Sequence, residues 1–367
     1  MKKRVLSIVL CAAMVASMAA CGLKSPDTAT TTAAAAAETA AAAEGDAAAA
    51  AEGSGDTSAA ANDPQVTLVY AEVNPLDTVV GQVATKFKER VEELSGGSVI
   101  IDVQASGVLG AEGDFLDNMI GGVGTIDMAR LSVSTMTTYG IEKGMLLSLP
   151  FEFVSREHFW NFATSDLAQQ FLDEPSELGL GLKGLFLGEE GFRHIFTTTP
   201  VNDLNDLQGM KIRVSTDAAM VALMNSLGAS ATVVSYSELY SSLQTGVVDG
   251  AENPIGNYKS NAFYEVAPYL ILDGHQLGVI ELVIVENSWN KLTEAQQACI
   301  LQAAEECAAY NQEISEQGEQ DALAALGDSI TVTEVADKTP WVEACADMIA
   351  ENTANLSELH QAIQDLQ

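Results

Sequence analysis

The sequence predicts an α/β fold of two lobes that enclose a cleft, and three observations lead to that prediction. Short apolar runs typical of strands alternate with segments of helical periodicity along most of the chain. The alternation comes in two successive sets, the second of which begins near Arg193. The chain also passes from one set to the other more than once. Such sets form sheets covered by helices, and clefts between two of them bind small ligands.

The first set opens in the order β-α-β-α-β. Its first helix is indicated by Val80, Val83 and Phe87, which fall on one face at helical spacing, and Gly96-Gly97 ends it. Predicted strands lie at 66–70, 99–103, 125–131 and 182–189, and predicted helices lie at 77–95, around 115–120 and around 155–172. This order favours a largely parallel sheet.

The second set ends in long helical segments. Ser235 and Glu238 have the Ser-x-x-Glu spacing of a capping box, which predicts that a helix begins there. Predicted strands lie at 194–198, 211–214, 232–234, 247–251, 279–285 and near 330–332, and predicted helices lie at 216–227, 236–244, 293–326 and from about 340. Long C-terminal helices therefore complete the predicted fold.

The first residues are typical of an export signal. Lys2, Lys3 and Arg4 precede an apolar stretch that is too short for a comfortable membrane span. Small residues then lead to Cys21, as in a bacterial lipobox, which predicts that Cys21 is lipidated and becomes the mature N-terminus. Ordinary cleavage after Ala20 is the alternative.

Domain limits follow from these changes of composition and pattern. The predicted order is a lipoprotein signal peptide at 1–21, a disordered Ala-rich tether at 22–62, a first lobe at 63–190 and 279–318, a second lobe at 191–278 and 319–345, and a C-terminal helix at 346–367. We expect a hinge between the lobes that closes the cleft.

Composition excludes several classes of function. The 367 residues include 51 acidic and 17 basic side chains, for a formal net charge of −34. Nucleic acids and anionic membrane surfaces attract basic proteins, so neither is an expected partner.

The cysteines and histidines have no spacing typical of a metal centre, so neither a metal nor a cofactor is expected. Cys299 and Cys307 lie too far apart on one helix to bond, but a disulfide from either to Cys345 stays open.

Enzyme motifs are also absent from the sequence. It contains no Gly-x-Ser-x-Gly, no His-Glu-x-x-His, no phosphate loop and no dinucleotide fingerprint. An export signal, a tether and two lobes around a cleft together indicate a receptor for a small solute. We therefore do not expect an enzyme.

Four segments in the second half are more specific. They are Asp-Leu-Gln-Gly-Met-Lys-Ile-Arg-Val at 206–214, Leu-Gly-Ala at 227–229, Tyr-Ser-Glu-Leu-Tyr at 236–240, and Leu-Gln-Thr-Gly-Val-Val-Asp-Gly-Ala-Glu-Asn-Pro at 243–254. They resemble the solute-binding proteins of tripartite ATP-independent periplasmic (TRAP) transporters, of the DctP type. Val-Leu-Gly at 108–110, Gly-Thr-Ile-Asp-Met at 124–128 and Leu-Pro-Phe at 149–151 extend the resemblance to roughly residues 64–360. It implies a bilobed, periplasmic-binding-protein-like fold.

Arg213 is the first candidate for ligand binding. It interrupts an otherwise apolar strand, where a buried arginine needs a partner, and its planar guanidinium can bind a carboxylate through two parallel hydrogen bonds. The residue types alone leave a structural salt bridge equally open. The resemblance implies that Arg213 clamps the carboxylate of the ligand.

The resemblance implies five further contacts with the ligand. Arg193 corresponds to a second ligand-binding arginine, and Asn253 to an asparagine of the cleft, although Asn253 would also suit the N-cap of the next helix. Tyr236 corresponds to an aromatic wall of the cleft, with packing under the capping box as its alternative. Asn74 and Glu112 lie on loops of the first lobe that we expect to face the cleft.

The expected ligand is a small organic acid. Sialic-acid-binding members of the family carry a glutamate near the position of Ser132, so the resemblance does not favour sialic acid here. A dicarboxylate such as a C4-dicarboxylate, a keto acid or a sugar acid all stay open.

The resemblance also implies partners and location. A monomeric receptor would deliver its ligand to one small and one large integral membrane subunit, and lipid on Cys21 would anchor it outside the cytoplasm. Two alternatives share the bilobed fold, namely a receptor of an ATP-driven (ABC) transporter and a receptor that feeds a signalling protein.

Overall fold

The computed structural model describes residues 57–367, in which a single sheet of nine strands forms the centre of the fold. The strands are β1 (Val66–Ala71), β2 (Val99–Gln104), β3 (Met128–Ser132), β4 (Leu182–Thr197), β5 (Lys211–Val214), β6 (Ser230–Val233), β7 (Gly250–Pro254), β8 (Tyr269–Val285) and β9 (Thr331–Glu334). Most begin and end within a few residues of the predicted limits, because their β-branched and aromatic runs match buried strand positions.

Helices cover the sheet. They are α1 (Val79–Leu94), α2 (Glu112–Ile120), α3 (Val133–Met136), α4 (Lys143–Leu147), α5 (Arg156–Ala163), α6 (Asp166–Leu172), α7 (Glu174–Glu177), α8 (Ala218–Ser226), α9 (Leu239–Gln244), α10 (Ile255–Ser260), α11 (Glu286–Trp289), α12 (Glu294–Leu326), α13 (Thr339–Ala344), α14 (Ala346–Thr353) and α15 (Ser357–Gln364). No helix of residues 57–367 is long and apolar enough to cross a membrane.

The sheet is mixed rather than largely parallel, which corrects the expectation from the β-α-β pattern. Its strand order is β2-β1-β3-β8-β4-β7-β5-β6, with β9 beside β8. Strand β1 is parallel to β2 and β3, and β5 is parallel to β6 and β7. The long strands β4 and β8 run antiparallel to each other and join the two parallel groups. Each parallel group forms one half of the predicted bilobed α/β fold.

The two long strands carry the chain between the halves. The predicted strands at 182–189 and 194–198 are one strand, β4, because its hydrogen bonds to β8 continue through the intervening polar residues. Pairing is irregular between Glu189 and Phe192 and again between Arg193 and Ile195. Such irregularities bend a strand and redirect its side chains, which hides the alternation that sequence analysis relies on.

Helix α12 also spans both halves. It begins at a capping box in which Thr293 accepts a hydrogen bond from the Gln296 amide, as its helical pattern predicts. Its first turns pack with α1 in one apolar cluster, whereas Ala322 and Leu326 lie in another cluster with Phe196 of β4.

Several predicted helices are interrupted. The helix predicted around 155–172 is two helices, α5 and α6, and the helix predicted at 346–367 is also two, α14 and α15. Ser155 caps α5 by accepting a hydrogen bond from the His158 amide. Ser165 has an extended backbone and is the N-cap residue of α6. The chain therefore turns between the two helices, although the helical spacing of apolar residues in the sequence runs across the turn.

The predicted N-terminal features fall mostly outside the described residues. The signal peptide, the lipidation site at Cys21 and the tether as far as residue 56 lie there. Residues Thr57–Asn62, which the predicted tether includes, form a 3-10 helix with Ala60 buried. The limits of the two lobes stay a prediction.

Cys307 and Cys345 are buried free thiols in different apolar clusters. The structure therefore contains no disulfide to Cys345 within residues 57–367.

Candidate functional site

A cleft lies where strands of both halves end. Residues just after β1, at the end of β3, at the end of β5 and in β7 face it, as expected for ligand sites at the carboxyl ends of parallel strands. Its empty volume is about 660 Å³, including open solvent at its mouth. All six residues predicted to contact a ligand line this one cleft, namely Asn74, Glu112, Arg193, Arg213, Tyr236 and Asn253. Whether each of them binds the ligand stays a prediction.

Arg213 presents an uncommitted positive charge to the cleft. Only 3% of it is exposed, and its Nε donates one hydrogen bond, of 2.8 Å, to the carbonyl oxygen of Val234. Within residues 57–367, no carboxylate oxygen lies within 4 Å of its guanidinium nitrogens, so the alternative of a structural salt bridge is not what the structure contains. Burial lowers the pKa of Arg213, and Glu252 only partly offsets this effect. A buried guanidinium without a counter-ion is costly, so this residue is poised for an anion.

Arg193 differs from Arg213 because carboxylates of the chain already hold it. Its Nε and Nη2 donate to the two oxygens of Glu252 at 2.6 and 3.0 Å, and its Nη1 donates to Glu190 at 2.5 Å. Burial opposes its charge, but Glu252 and Glu190 outweigh burial and raise the pKa of Arg193. Its guanidinium borders the cleft while most of its hydrogen-bonding capacity is used internally.

Asn253 offers an unused amide to the cleft. It lies in β7 and is 3% exposed, and its Nδ2 is buried without a hydrogen-bond partner among the described residues. It is not the N-cap of a helix, because the strand continues to Pro254 and α10 begins only at Ile255. Buried amide groups are normally paired, so this one indicates a missing polar partner.

Tyr236 crosses the mouth of the cleft. Its hydroxyl donates to Asn74 Oδ1 at 3.3 Å in the other half and accepts from Asn261 Nδ2 at 3.0 Å. The capping box predicted at Ser235 and Glu238 is absent from this turn, where the Ser235 hydroxyl instead contacts that of Ser237. Tyr236 therefore forms a wall of the cleft and links its two sides.

Glu112 begins helix α2 and is fully engaged. Its carboxylate accepts hydrogen bonds from Arg130, from the amide and hydroxyl of Ser132 and from the hydroxyl of Thr135. Glu112 lines the cleft, but these four hydrogen bonds already occupy its carboxylate oxygens. In this arrangement it orients Arg130 and does not accept further hydrogen bonds from a ligand.

Sequence reasoning missed two charged residues that line the cleft, Arg130 and Glu190. Arg130 is 2% exposed and is held by Glu72 and Glu112, while Glu190 binds Arg193. Burial raises the pKa of Glu190, although Arg193 and Arg130 act in the opposite direction. For Arg130 the signal was the one used for Arg213, a charged residue inside an apolar strand, whereas Glu190 lies in a polar stretch of β4 that gives no such signal.

A buried chain of charges leads away from Arg193 beneath the cleft. His275 lies between two carboxylates, with its Nδ1 2.7 Å from Asp273 and its Nε2 3.6 Å from Glu252. Burial opposes protonation of His275, but Asp273 and Glu252 outweigh burial and raise its pKa to about 9. Burial likewise opposes ionisation of Glu252, yet Arg193 and His275 lower its pKa to about 2. These shifts favour a protonated His275 between ionised Asp273 and Glu252 beneath the cleft.

The polar groups of the cleft are suited to holding a small ligand. The described part of the chain has no group of three His, Cys, Asp or Glu side chains placed to hold a metal ion. What the cleft offers is a guanidinium without a counter-ion, an unpaired amide and several hydroxyls. These groups suit a small anion with hydroxyl or carbonyl oxygens.

Comparisons with known proteins agree with this geometry. Residues 70–355 match the family model described as bacterial extracellular solute-binding protein, family 7. A solute-binding protein of Chromohalobacter salexigens is 30% identical over 300 residues, covering 80% of this chain and 88% of the relative. A TRAP periplasmic solute-binding protein from Bradyrhizobium sp. btai1 b, in complex with α/β-D-galacturonate, is 30% identical with a TM-score of 0.77, covering 82% of this chain and 100% of that one. Another from Pseudomonas putida F1, with bound D-glucuronate, is 27% identical with a TM-score of 0.77, covering 82% and 97%.

The family match covers far more than half of the chain and extends across the whole cleft. Members of this family are solute receptors that act outside the cytoplasm with TRAP membrane subunits, and they are not enzymes. The chain therefore belongs to the bacterial extracellular solute-binding proteins of family 7, the DctP-type receptors of TRAP transporters.

Proposed function

We propose that this receptor binds a sugar acid, of the hexuronate class, with the ligand's carboxylate on Arg213. The observation that carries the proposal is the buried Arg213 guanidinium, which has one backbone hydrogen bond and no carboxylate within reach among residues 57–367. A ligand carboxylate would supply the missing counter-ion through charge-assisted hydrogen bonds. Similar proteins with bound galacturonate and glucuronate support a ligand of this class.

The charge balance of the cleft favours one carboxylate over two. Of the three arginines that line it, Arg130 and Arg193 are each held by two carboxylates of the chain, which leaves only Arg213. A second ligand carboxylate would meet the acidic groups around those pairs. This argues against the C4-dicarboxylates that the family resemblance also allowed.

The remaining lining favours a ligand with several hydroxyls. Hydroxyl side chains surround the cleft, at Ser132, Ser134, Thr135, Ser215, Thr216 and Ser235. Hydroxyls both donate and accept hydrogen bonds, as sugar hydroxyls do, and the Asn253 amide adds a donor without a partner. In the ligand-bound receptor, Asn253 and Asn74 would hold sugar oxygens, Tyr236 would cover the sugar, and Glu112 and Arg193 would keep the polar floor in position.

A paired-ligand experiment tests this proposal. Thermal shift and calorimetry would compare D-glucuronate with D-glucose, and D-galacturonate with D-galactose, so that each pair differs at the carboxylate. Succinate and N-acetylneuraminate would represent the other acids. We expect at least one uronate to raise the melting temperature and its neutral partner to leave it unchanged, because a ligand that binds only the folded state stabilises it. Equal binding of uronate and neutral sugar, or preference for succinate, would contradict the proposal.

The matched variants are Arg213→Ala and Lys211→Ala. Lys211 lies on the same strand β5, is exposed and does not line the cleft. We expect uronate binding to be lost in the first variant and kept in the second.

We also propose that the protein delivers its ligand to the small and large TRAP membrane subunits as a monomer anchored by lipid on Cys21. The lipobox-like residues before Cys21 support the anchor. Labelling with a radioactive fatty acid tests it, since the wild-type protein should incorporate label and a Cys21→Ala variant should not.

A further inference from the structure

A second cavity lies behind strand β4, on the side away from the cleft, and we call it the rear pocket. Its empty volume is about 780 Å³, including open solvent. It is lined by Phe151, Phe153, Val154, Phe192, His194, Gly274, Glu319, Lys338 and Val342. The two cavities have no lining residue in common, because Arg193 faces the cleft while its neighbours Phe192 and His194 face the rear pocket.

The walls of the rear pocket are aromatic and apolar. Phe151, Phe153 and Phe192 form its sides, and Val154 and Val342 stand at its rim with 64% and 39% of their surface exposed. An aromatic cavity with apolar side chains at its rim suits a ligand that is itself partly apolar.

Lys338 and His194, two side chains that can donate hydrogen bonds, lie next to each other in the wall of this pocket. The His194 Nδ1 accepts a hydrogen bond of 2.9 Å from the Gly274 amide, so the neutral ring carries its proton on Nε2. His194 is 6% exposed, and within residues 57–367 its ring makes only this one hydrogen bond, at Nδ1, which also lies 3.6 Å from Asp273 Oδ1. A Cβ atom on Gly274 would lie 2.8 Å from Lys338 Nζ and 3.5 Å from His194 Cε1, so the two side chains meet over Gly274.

The charges around the pocket leave Lys338 unpaired. Lys338 is exposed to solvent, and within residues 57–367 no carboxylate oxygen lies within 4 Å of its Nζ; it is the only lysine or arginine after Lys291 in an otherwise acidic segment. The one acid of the lining, Glu319, is bound at 2.7 Å by Arg156 and also accepts from the Phe192 amide. The pocket therefore offers an anion site at one end of an apolar chamber.

We propose that the rear pocket is a second ligand site that takes a small aromatic carboxylate, with its ring against the three phenylalanines and its carboxylate on Lys338 Nζ and His194 Nε2. Aromatic rings pack edge to face and bury large area, which suits the walls. Hydrogen bonds from a cation and an N–H donor to a carboxylate are the strong kind, which suits the end of the pocket. This site is independent of the sugar-acid cleft, and neither proposal needs the other.

Benzoate is the probe, observed by ligand-detected NMR on the wild-type protein and on single variants. We expect a dissociation constant of about 1–10 mM, as for a ligand of this size. Binding should be unchanged in Arg213→Ala, in which the cleft is disabled, and about tenfold weaker or more in Lys338→Ala, which removes a charged hydrogen bond. Benzyl alcohol, which lacks the charge, should bind about tenfold less well than benzoate.

Two further variants keep the test sharp. Lys183→Ala is the matched control, because Lys183 lies 5.5 Å from the Trp289 ring and outside the rear pocket, and it should leave benzoate binding unchanged. Val342→Trp fills the pocket from its exposed rim and should block benzoate. No benzoate binding to the wild-type protein, loss of binding in Arg213→Ala, or full binding in Lys338→Ala would each overturn the proposal.

Discussion

The guanidinium carbon of Arg213 lies 5.5 Å from the centre of the Tyr236 ring, and Arg213 is the one arginine of the cleft that pairs with no carboxylate of residues 57–367. A cation at this distance is attracted to the face of an aromatic ring. The Tyr236 hydroxyl in turn reaches Asn74 across the cleft. The Arg213 guanidinium is thus held in place beside the ring, yet its charge is not neutralised by a counter-ion. The predictions below follow from that arrangement.

Replacing Arg213 by alanine is expected to abolish ligand binding while leaving the fold intact. Loss of a buried charge partner should cost about 2–5 kcal/mol in affinity for D-glucuronate, measured by calorimetry. The free energy of unfolding of the ligand-free protein should change by only about 1 kcal/mol, because Arg213 has one hydrogen bond and no ion pair to lose. Arg213→Lys keeps the charge without the two-pronged geometry and should bind with intermediate affinity. Affinity as high as in the wild type would rule out this role.

Replacing Arg193 by alanine is expected to act mainly on stability. The change leaves Glu252 and Glu190 buried without their cation, and breaking a buried pair of this kind costs about 3–5 kcal/mol. Urea unfolding of the ligand-free protein measures it. The control is Arg90→Ala, whose more exposed pairs with Glu93 and Glu306 should contribute about 0–1 kcal/mol. A stable Arg193→Ala protein that fails only in binding would show that the ligand, and not the chain, uses this arginine.

Replacing Asn253 by alanine is expected to weaken ligand binding without weakening the fold. Its Nδ2 has no partner within residues 57–367, so its removal sacrifices no internal hydrogen bond there. The lost contact with the ligand should cost about 0.5–1.5 kcal/mol in affinity. Calorimetry and urea unfolding on the same preparation separate the two effects. A large loss of stability with unchanged affinity would be the opposite of this result.

Removing the Tyr236 hydroxyl is expected to speed ligand release. Tyr236→Phe keeps the ring over Arg213 but breaks the hydrogen bonds to Asn74 and Asn261. The dissociation rate should rise about 2- to 10-fold, with little change in the association rate. Stopped-flow fluorescence measures both. Tyr240→Phe is the control, since that hydroxyl bonds only to Glu265 at 2.9 Å on the same side of the cleft and should leave both rates unchanged.

Stability is expected to fall as the pH rises from 6.5 to 9 because of His275. Its pKa is raised from 6.5 to about 9 in the folded protein, so the stabilisation is fully present below pH 6.5 and is lost as pH rises through 9. The shift corresponds to about 3 kcal/mol. Urea unfolding at pH 6 and pH 9.5 should show this loss in the wild type and a smaller one in His275→Gln. An equally steep loss in His275→Gln would assign the effect to other groups.

Much of the local structure could be predicted because it depends on neighbouring residues. The β run at 66–70 and the long helical pattern from Thr293 predicted β1 and α12, and both are observed. The capping box predicted at Ser235 failed, because there the chain makes only a 3-10 turn and the hydroxyl contacts Ser237. The continuity of β4 was missed because it depends on pairing with β8, whose residues lie 72 to 103 positions away in the sequence.

The sequence by itself determined the family, the α/β class and six of the residues that line the cleft, because motif residues and apolar periodicity are local properties of the chain. Only the tertiary structure decided which arginine is available. Arg193 and Arg213 are both arginines on strands that border the cleft, yet Glu252 and Glu190 surround the first while Tyr236 and a carbonyl oxygen surround the second. The energy of a buried charge depends on the groups within a few ångströms of it, and those groups come from strands that are distant in the sequence.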